Sequence, residues 1–152
     1  MPSFRTIHKV RHSAAEMFDL VADIESYPQF VPLCLALKVR HRMEIQGVAT
    51  KVAQMSVGYR AIRETFTTRV VCDMARREIL VSYIDGPFRH LENRWNFRDE
   101  GPGFSVIEFQ IAYEFRSRAL SLLMGGMFDK AFHKFSEAFE RRADIVYGAP
   151  AA

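Results

Sequence analysis

The spacing of apolar residues changes near residue 116, and this change constrains the fold more than any other feature. Between Leu33 and Phe115, apolar side chains recur at every second position, which is the period of β-strands. From about Arg118 to Tyr147 they recur every three to four positions, which is the period of an α-helix. The sequence therefore predicts a run of strands followed by one long C-terminal helix.

The N-terminal segment adds one strand and one helix before this run. Phe4–Arg11 is rich in β-branched residues and alternates, which predicts a strand. Ser13 is a good N-cap, and Glu16 three residues later completes a capping box for a helix. Pro28 and Pro32 limit any second helix to about one turn. The predicted order is strand, helix, short helical turn, about six strands and a long helix.

This order predicts the fold class. Consecutive strands with short turns and one polar face are typical of an antiparallel meander, and the apolar stripe of the last helix must be covered by a sheet. We predict an α+β helix-grip fold, in which a curved antiparallel sheet of about six or seven strands wraps around the C-terminal helix in one domain, residues 1–152. The same spacing places Leu35, Met43 and Ile145 on the apolar faces.

Composition narrows the class of protein. The chain has 152 residues, a formal net charge of +3, 49% hydrophobic and 26% charged residues, which are ordinary values for a globular domain. No apolar run reaches the roughly 18–20 residues that span a bilayer, and no signal peptide or presequence is recognisable, so we expect a cytoplasmic protein. Cys34 and Cys72 lack metal-binding spacing and are expected to be buried thiols.

Motifs for catalysis are weak. The five histidines form no HxxxH or HExxH pattern, so no metal site is predicted, and we assign no catalytic residue. Glu64 shares a face with Phe66 by parity and either points inward or lies near solvent at the strand end. An enzyme would need Glu64 paired with His8 or His41 as acid and base.

A large inward-facing set of aromatic residues favours an apolar interior. These residues form either a solid core or the wall of a gap between sheet and helix that binds an apolar ligand. Met124 and Met127 would give such a gap adaptable walls. The aromatic residues are Phe66, Trp95, Phe97, Phe109, Tyr113, Phe128, Phe132 and Phe135.

Two uncharged stretches, Tyr27–Leu37 and Ala119–Phe128, are unusually apolar for a surface. Either they cover each other or they form an exposed patch. Arg116, Arg118 and Lys130 flank the second stretch, and cations beside an apolar patch favour docking on an anionic membrane surface. The predicted membrane-contact residues are Leu120, Leu122, Leu123 and Met127.

Several motifs together resemble one family. The chain is similar from Phe4 to Gly148 to the ubiquinone-binding branch of the START-like polyketide cyclase/dehydrase superfamily. This branch contains the coenzyme Q-binding START-domain proteins and the ribosome association toxin (RatA) family. The matching residues are Tyr27–Cys34, Gly86-Pro87-Phe88, Leu91, Trp95-Asn96-Phe97, Phe132, Phe135, Phe139, Arg142-Ala143 and Tyr147-Gly148.

The resemblance implies a helix-grip fold that binds ubiquinone or a related isoprenoid lipid without catalysing a reaction and supports respiratory electron transport. It implies no cofactor other than ubiquinone as a bound ligand. Tyr27, Pro28, Phe30, Pro32, Phe88, Trp95 and Phe132 would line or gate the cavity, and Leu33 stands where the family commonly has Trp. With the inward positions, the candidate ligand-binding residues are Tyr27, Pro28, Phe30, Pro32, Leu33, Phe66, Phe88, Trp95, Phe109, Tyr113, Met124, Phe128, Phe132 and Phe135.

A domain of this size holds the quinone head and a few isoprene units, so the rest of the tail lies in the membrane, along the Ala119–Phe128 patch or in a second subunit of a homo-oligomer. We therefore predict a peripheral carrier at the bacterial inner membrane. Two alternatives stay open: a polyketide cyclase or dehydrase, and a protein that binds the large ribosomal subunit and blocks subunit association. The ribosome hypothesis relies on Arg40, Arg42, Arg63, Arg69, Arg76, Arg77, Arg94 and Arg98 as contacts for phosphates.

Overall fold

The computed structural model describes residues 3–148 and has the elements in the predicted order. One curved, seven-stranded antiparallel sheet, in the order β1-β7-β6-β5-β4-β3-β2, covers the long C-terminal helix. The strands are β1 (Ser3–Val10), β2 (Cys34–Ile45), β3 (Val48–Tyr59), β4 (Ile62–Asp73), β5 (Glu78–Asp85), β6 (Phe88–Gly101) and β7 (Phe104–Phe115). The helices are α1 (Ala14–Ala22), a short 3₁₀ helix (Ile24–Gln29) and α2 (Arg118–Tyr147).

Local sequence determines where each helix begins and ends. Ser13 caps α1 through its side chain, which accepts a hydrogen bond from the Glu16 amide, and Glu16 completes the predicted capping box. Ser117 caps α2 by accepting from the Leu120 amide, and Gly148 follows its last residue with a positive φ of 94°. Helix α2 continues through both of its glycines because its apolar stripe is held by tertiary packing.

Helix α2 packs mainly on β1, β7 and α1. The His12 ring nitrogen lies 2.7 Å from an Asp144 carboxylate oxygen and binds α2 to the segment before α1. The Tyr147 hydroxyl donates to the Glu16 carbonyl at 3.0 Å. We call β1 and β7 the packed half of the sheet. Strands β2 to β5 form the open half, and β6 lies between the two.

Three apolar residues lie outside the predicted faces. Strand β2 has two bulges, one between Cys34 and Ala36 and one between Val39 and His41. Each bulge adds one residue and so reverses which alternate side chains face inward, and this leaves Leu35 and Met43 exposed. Ile145 is 74% exposed because the last turn of α2 contacts α1 through its opposite side.

Candidate functional site

A cavity of about 110 Å³ lies between α2 and the inner face of the sheet. It exists because α2 packs on the packed half and leaves a gap over the open half. Its floor comes from the open half, β6 and Ile111 of β7, its roof from α2, and one side from the 3₁₀ helix and the loop that follows. The lining residues are Ile24, Tyr27, Val31, Pro32, Leu33, Leu37, Ala53, Met55, Val57, Phe66, Thr68, Val70, Ile79, Val81, Leu91, Asn93, Trp95, Ile111, Phe128, Ala131, Phe132, Phe135 and Phe139.

The loop after the 3₁₀ helix forms the rim of the cavity. Leu33 adopts the left-handed region with φ of 68°, which is unfavourable for a branched side chain. Its carbonyl accepts a hydrogen bond from the Gly58 amide of β3 at 3.0 Å, which fixes the loop to the sheet. A Cβ at Gly58 would lie 2.6 Å from Leu35 Cδ1 and 3.1 Å from the Ile62 carbonyl oxygen. Glycine therefore permits the close approach that holds the rim.

Tyr27 anchors the 3₁₀ helix beside the cavity. Its hydroxyl donates to the Val21 carbonyl at the end of α1. Burial raises the pKa of Tyr27 well above its usual value, and the nearby Cys72 and Cys34 raise this pKa further. Its ring meets the ring of Phe139 on α2 edge-on, with 5.4 Å between centroids. The phenol is thus a fixed part of the wall.

A second set of contacts joins the 3₁₀ helix to α2. The Arg142 guanidinium donates to the Gln29 side-chain oxygen at 2.7 Å and lies 5.2 Å from the centroid of the Phe30 ring. The Phe30 ring also packs edge-on against Phe139 at 5.1 Å. Phe30 therefore supports the wall from behind.

Two polar side chains face the cavity, and the sequence analysis did not identify either. Thr68 on β4 and Asn93 on β6 are 6% and 9% exposed, respectively. Asn93 accepts a hydrogen bond from Trp95 Nε1 at 2.9 Å and donates to the Gln110 carbonyl at 2.8 Å. The alternation of β6 could have identified Asn93, because every second residue shares one face and Asn93 lies between the inward-facing Leu91 and Trp95.

Eight of the candidate ligand-binding residues line the cavity: Tyr27, Pro32, Leu33, Phe66, Trp95, Phe128, Phe132 and Phe135. The other six lie outside its lining. Pro28 is exposed, and Phe30 packs behind the wall. The remaining four are buried in the core, where α2 lies directly on the sheet and leaves no gap: Phe88, Phe109, Tyr113 and Met124. Contact with a ligand stays a prediction for all of them.

The start of α2 carries the predicted membrane-contact residues. Leu122 and Leu123 are 83% and 59% exposed, whereas Leu120 and Met127 are half-buried against the core. An apolar patch is therefore present at the surface, and its contact with a membrane is a prediction. No helix within residues 3–148 is both long and apolar enough to cross a membrane.

The acid–base candidates lie away from the cavity lining. Glu64 is half-buried near the start of β4, and His41 is exposed on β2. His8 is on β1 in the packed half, and its Nε2 lies 3.1 Å from a carboxylate oxygen of Glu140 on α2. In the described part of the chain, no group of three or more His, Cys, Asp or Glu side chains is placed to hold a metal ion.

Both cysteines are free and buried, as expected. Burial raises the pKa of the Cys34 thiol to about 11, and it does the same for Cys72. The Cys34 thiol donates a weak hydrogen bond to the Ala36 carbonyl at 3.8 Å. The thiols are therefore protonated at neutral pH and act as small apolar groups.

Comparison with known proteins agrees with this architecture. A family model described as polyketide cyclase/dehydrase and lipid transport matches residues 10–140. The chain belongs to this family. An 18 kDa protein from Caulobacter crescentus, whose structure is known in solution, is 34% identical, covers 98% of this chain and 100% of its own, and superimposes with a TM-score of 0.80. The helix-grip fold is thereby confirmed.

Two proteins to which the chain is similar carry functional names. The ribosome association toxin RatA of Escherichia coli K12 is 33% identical over 149 residues, which covers 98% of this chain and 91% of its own. The mitochondrial coenzyme Q-binding protein coq10 of Schizosaccharomyces pombe is 24% identical over 145 residues, which covers 95% of this chain and 88% of its own. The predicted resemblance to both groups is confirmed.

Proposed function

We propose that this protein binds an isoprenoid quinone, ubiquinone or a close relative, in the cavity beneath α2 and delivers it at a bacterial membrane surface without catalysing a reaction. The observation that carries the proposal is a partly open apolar cavity in the interior of a protein that is similar to a coenzyme Q-binding protein. Such a space is costly in a folded protein, because its walls lose packing contacts.

The size of the cavity determines which part of the ligand it holds. An engineered apolar cavity of about 150 Å³ binds benzene, so a space of about 110 Å³ admits at most one ring, whose substituents extend into the open side of the cavity. A polyprenyl tail is several times larger. The quinone ring therefore occupies the cavity, and the tail leaves it unless the walls move apart.

Helix α2 supplies a path for the tail. Leu123, Met127 and Ala131 follow one another at spacings of four residues, so they form one row along the helix. Leu123 is exposed, Met127 is half-buried and Ala131 lines the cavity. This row is a continuous apolar track from the patch to the cavity.

The charges around the track favour an anionic bilayer. Four cations, Arg116, Arg118, Lys130 and Lys134, lie between residues 116 and 134, and Asp129 is the one carboxylate there. All five are exposed. A cationic rim around an apolar patch is attracted to anionic headgroups, each cation contributing about 1 kcal/mol near the surface.

The only tryptophan of the chain allows a direct test. Trp95 lies in the cavity wall and is 3% exposed, so a quinone ring bound in the cavity quenches its fluorescence. Titration with a short-tail ubiquinone is expected to give saturable quenching at one ligand per chain. Replacing Ala53, which lines the floor, with Leu fills the cavity and should abolish it.

Two results would argue against the proposal. Linear quenching without saturation would show only collisions with the ligand. Saturable quenching that is equally strong in the A53L variant would place the ligand elsewhere. An isoprenoid alcohol with the same short tail and no quinone ring provides the control for nonspecific apolar association.

The relatives named as ribosome association toxins favour a second candidate function, binding to the ribosome. Among the described residues, Arg63, Arg69 and Arg76 are exposed and have no carboxylate within ion-pair distance, so they are available for phosphates. In contrast, Arg42, Arg77, Arg94 and Arg98 each lie within 4.0 Å of a carboxylate. Arg40 donates to the Gln54 side chain.

Co-sedimentation with ribosomes at low salt tests this candidate. The double variant Arg63→Glu, Arg69→Glu is expected to abolish co-sedimentation. The control is the double variant Arg77→Glu, Arg98→Glu, which reverses the same number of charges at two arginines that already lie beside carboxylates. A parent protein that stays in the supernatant would dispose of the ribosome hypothesis.

A further inference from the structure

Polar groups in the cavity wall are few, and most are already used. The Tyr27 hydroxyl donates to a backbone carbonyl, and Trp95 Nε1 donates to Asn93. The hydrogen-bonding capacity left for a ligand therefore belongs to Thr68 and Asn93, both more than nine-tenths buried.

The Asn93 amide has a fixed orientation. Trp95 Nε1 can only donate and the Gln110 carbonyl can only accept, so a flipped amide would lose both hydrogen bonds. The second N–H of Asn93 Nδ2 has no partner among residues 3–148. The wall thus presents one preoriented donor from β6.

The Thr68 hydroxyl is unpartnered within the described residues. The buried hydroxyl oxygens without a partner in the described part of the chain are Ser105 Oγ and Ser136 Oγ. Thr68 Oγ1 is not one of them, because it borders the open space of the cavity. Thr68 lines the cavity, so an acceptor atom of a ligand can satisfy it.

The register places these donors on opposite sides of the floor. Thr68 pairs with Tyr83 across β4 and β5, and Val81 pairs with Asn93 across β5 and β6. The two residues are therefore two strands apart on one face and offset by two positions along β5, from Tyr83 to Val81, which corresponds to about 12 Å between their Cα atoms. A flat ring lying over β5 can present an oxygen to each.

We propose that Thr68 and Asn93 form a two-point anchor that selects a ring with hydrogen-bond-accepting oxygens on opposite edges. This inference rests on the proposed function and names the residues that orient the ring. The apolar wall accepts any ring of suitable size, and the anchor distinguishes a quinone from a hydrocarbon.

Substitution at Thr68 tests the anchor with the least structural change, because Thr68→Val keeps the shape of the side chain. The probes are a short-tail ubiquinone and the alkylbenzene of the same ring substitution and tail that lacks the ring oxygens. We expect Thr68→Val to weaken quinone binding about fivefold, the equivalent of one hydrogen bond, and to leave alkylbenzene binding unchanged. Thr68→Ser, which keeps the hydroxyl, should retain the preference for the quinone.

Thr67→Val removes an equal hydroxyl from the outer face of β4 and is the matched control, with no expected effect on either ligand. Ligand-free Thr68→Val should melt at the same temperature as the parent or higher. Equal weakening for both probes, no weakening for the quinone, or a lower melting temperature would overturn the anchor. Failure of the parent to bind either probe would instead contradict the proposed function.

Discussion

The two halves of the sheet have similar sequences and different interiors. The packed half presents Phe109, Ile107 and Tyr113 to α2, and all three are nearly inaccessible. The open half presents Phe66, Val70 and Ile79, which are also buried but line a cavity. These residues are shielded from solvent in both halves, and the main difference is their contact with the helix.

Aromatic residues explain why the helix lies where it does. Phe109 on β7 has its ring centroid 4.6 Å from Trp95, 5.7 Å from Phe135 and 6.3 Å from Phe132. Such pairs stabilise beyond the area they bury. The cluster holds α2 over the packed half, and the open half faces the cavity mostly with aliphatic side chains such as Val70 and Ile79.

The largest expected effect comes from removing the centre of this cluster. Phe109→Ala should lower the free energy of unfolding by about 3–5 kcal/mol, since it deletes a ring that is 1% exposed. Urea denaturation measures the change, and Phe109→Leu should cost clearly less. A loss below about 1 kcal/mol would show that the packed half does not carry the stability.

Enlarging an alanine beside the cavity and one in the tightly packed interior should have opposite effects. Ala53→Leu fills the cavity and is expected to raise the free energy of unfolding by about 0.5–2 kcal/mol. Ala143→Leu, at a fully buried position of α2, overpacks and should lower it by about 1–3 kcal/mol. The melting temperatures of both variants measure these changes. If both substitutions destabilised the protein to a similar extent, the two interiors would be equally filled.

Alkaline pH should weaken the protein through the thiols on the open half. Burial raises the pKa of Cys34 and of Cys72 from about 9 to about 11, so the folded state holds these protons more tightly than the unfolded state. Stability is therefore fully present below pH 9 and falls as the pH rises towards 11. Denaturation curves across this window should show the fall, and Cys72→Ala should reduce its slope. An unchanged slope would show that the thiol does not contribute.

The smallest effect on stability is expected at the exposed start of α2. Leu122→Glu should leave the melting temperature nearly unchanged and weaken binding to vesicles containing anionic lipid. Ile145→Glu places the same charge at a similarly exposed position near the other end of the helix and should not affect vesicle binding. Equal responses of the two variants would remove the basis for docking through this patch.

Much of the fold was predictable because it depends on local patterns. The switch of period from two to 3.6 predicted the bounds of α2, and Ser13 with Glu16 predicted the start of α1. The facing of Leu35 and Met43 was not predictable, since the β2 bulges depend on pairing with β3 rather than on the β2 sequence alone.

The cavity was only partly predictable. Phe66 and Phe109 show the same alternation in their strands, yet one lines the cavity and the other is packed beneath α2. The difference arises from the lateral position of α2 on the sheet, which depends on the sum of many contacts distant in sequence. Strand parity places both Thr68 and Asn93 inward, but a polar residue at an inward position indicates a ligand contact only when a cavity is known to lie beside it.

The central claim is that the space over the open half holds a quinone ring. Organic extraction of the protein purified without detergent, followed by mass spectrometry, tests it most directly, with the Ala53→Leu variant extracted in parallel. We expect near-stoichiometric isoprenoid quinone from the parent protein and little from the filled variant. Equal amounts from both, or a parent protein free of quinone after expression in quinone-producing cells, would contradict it.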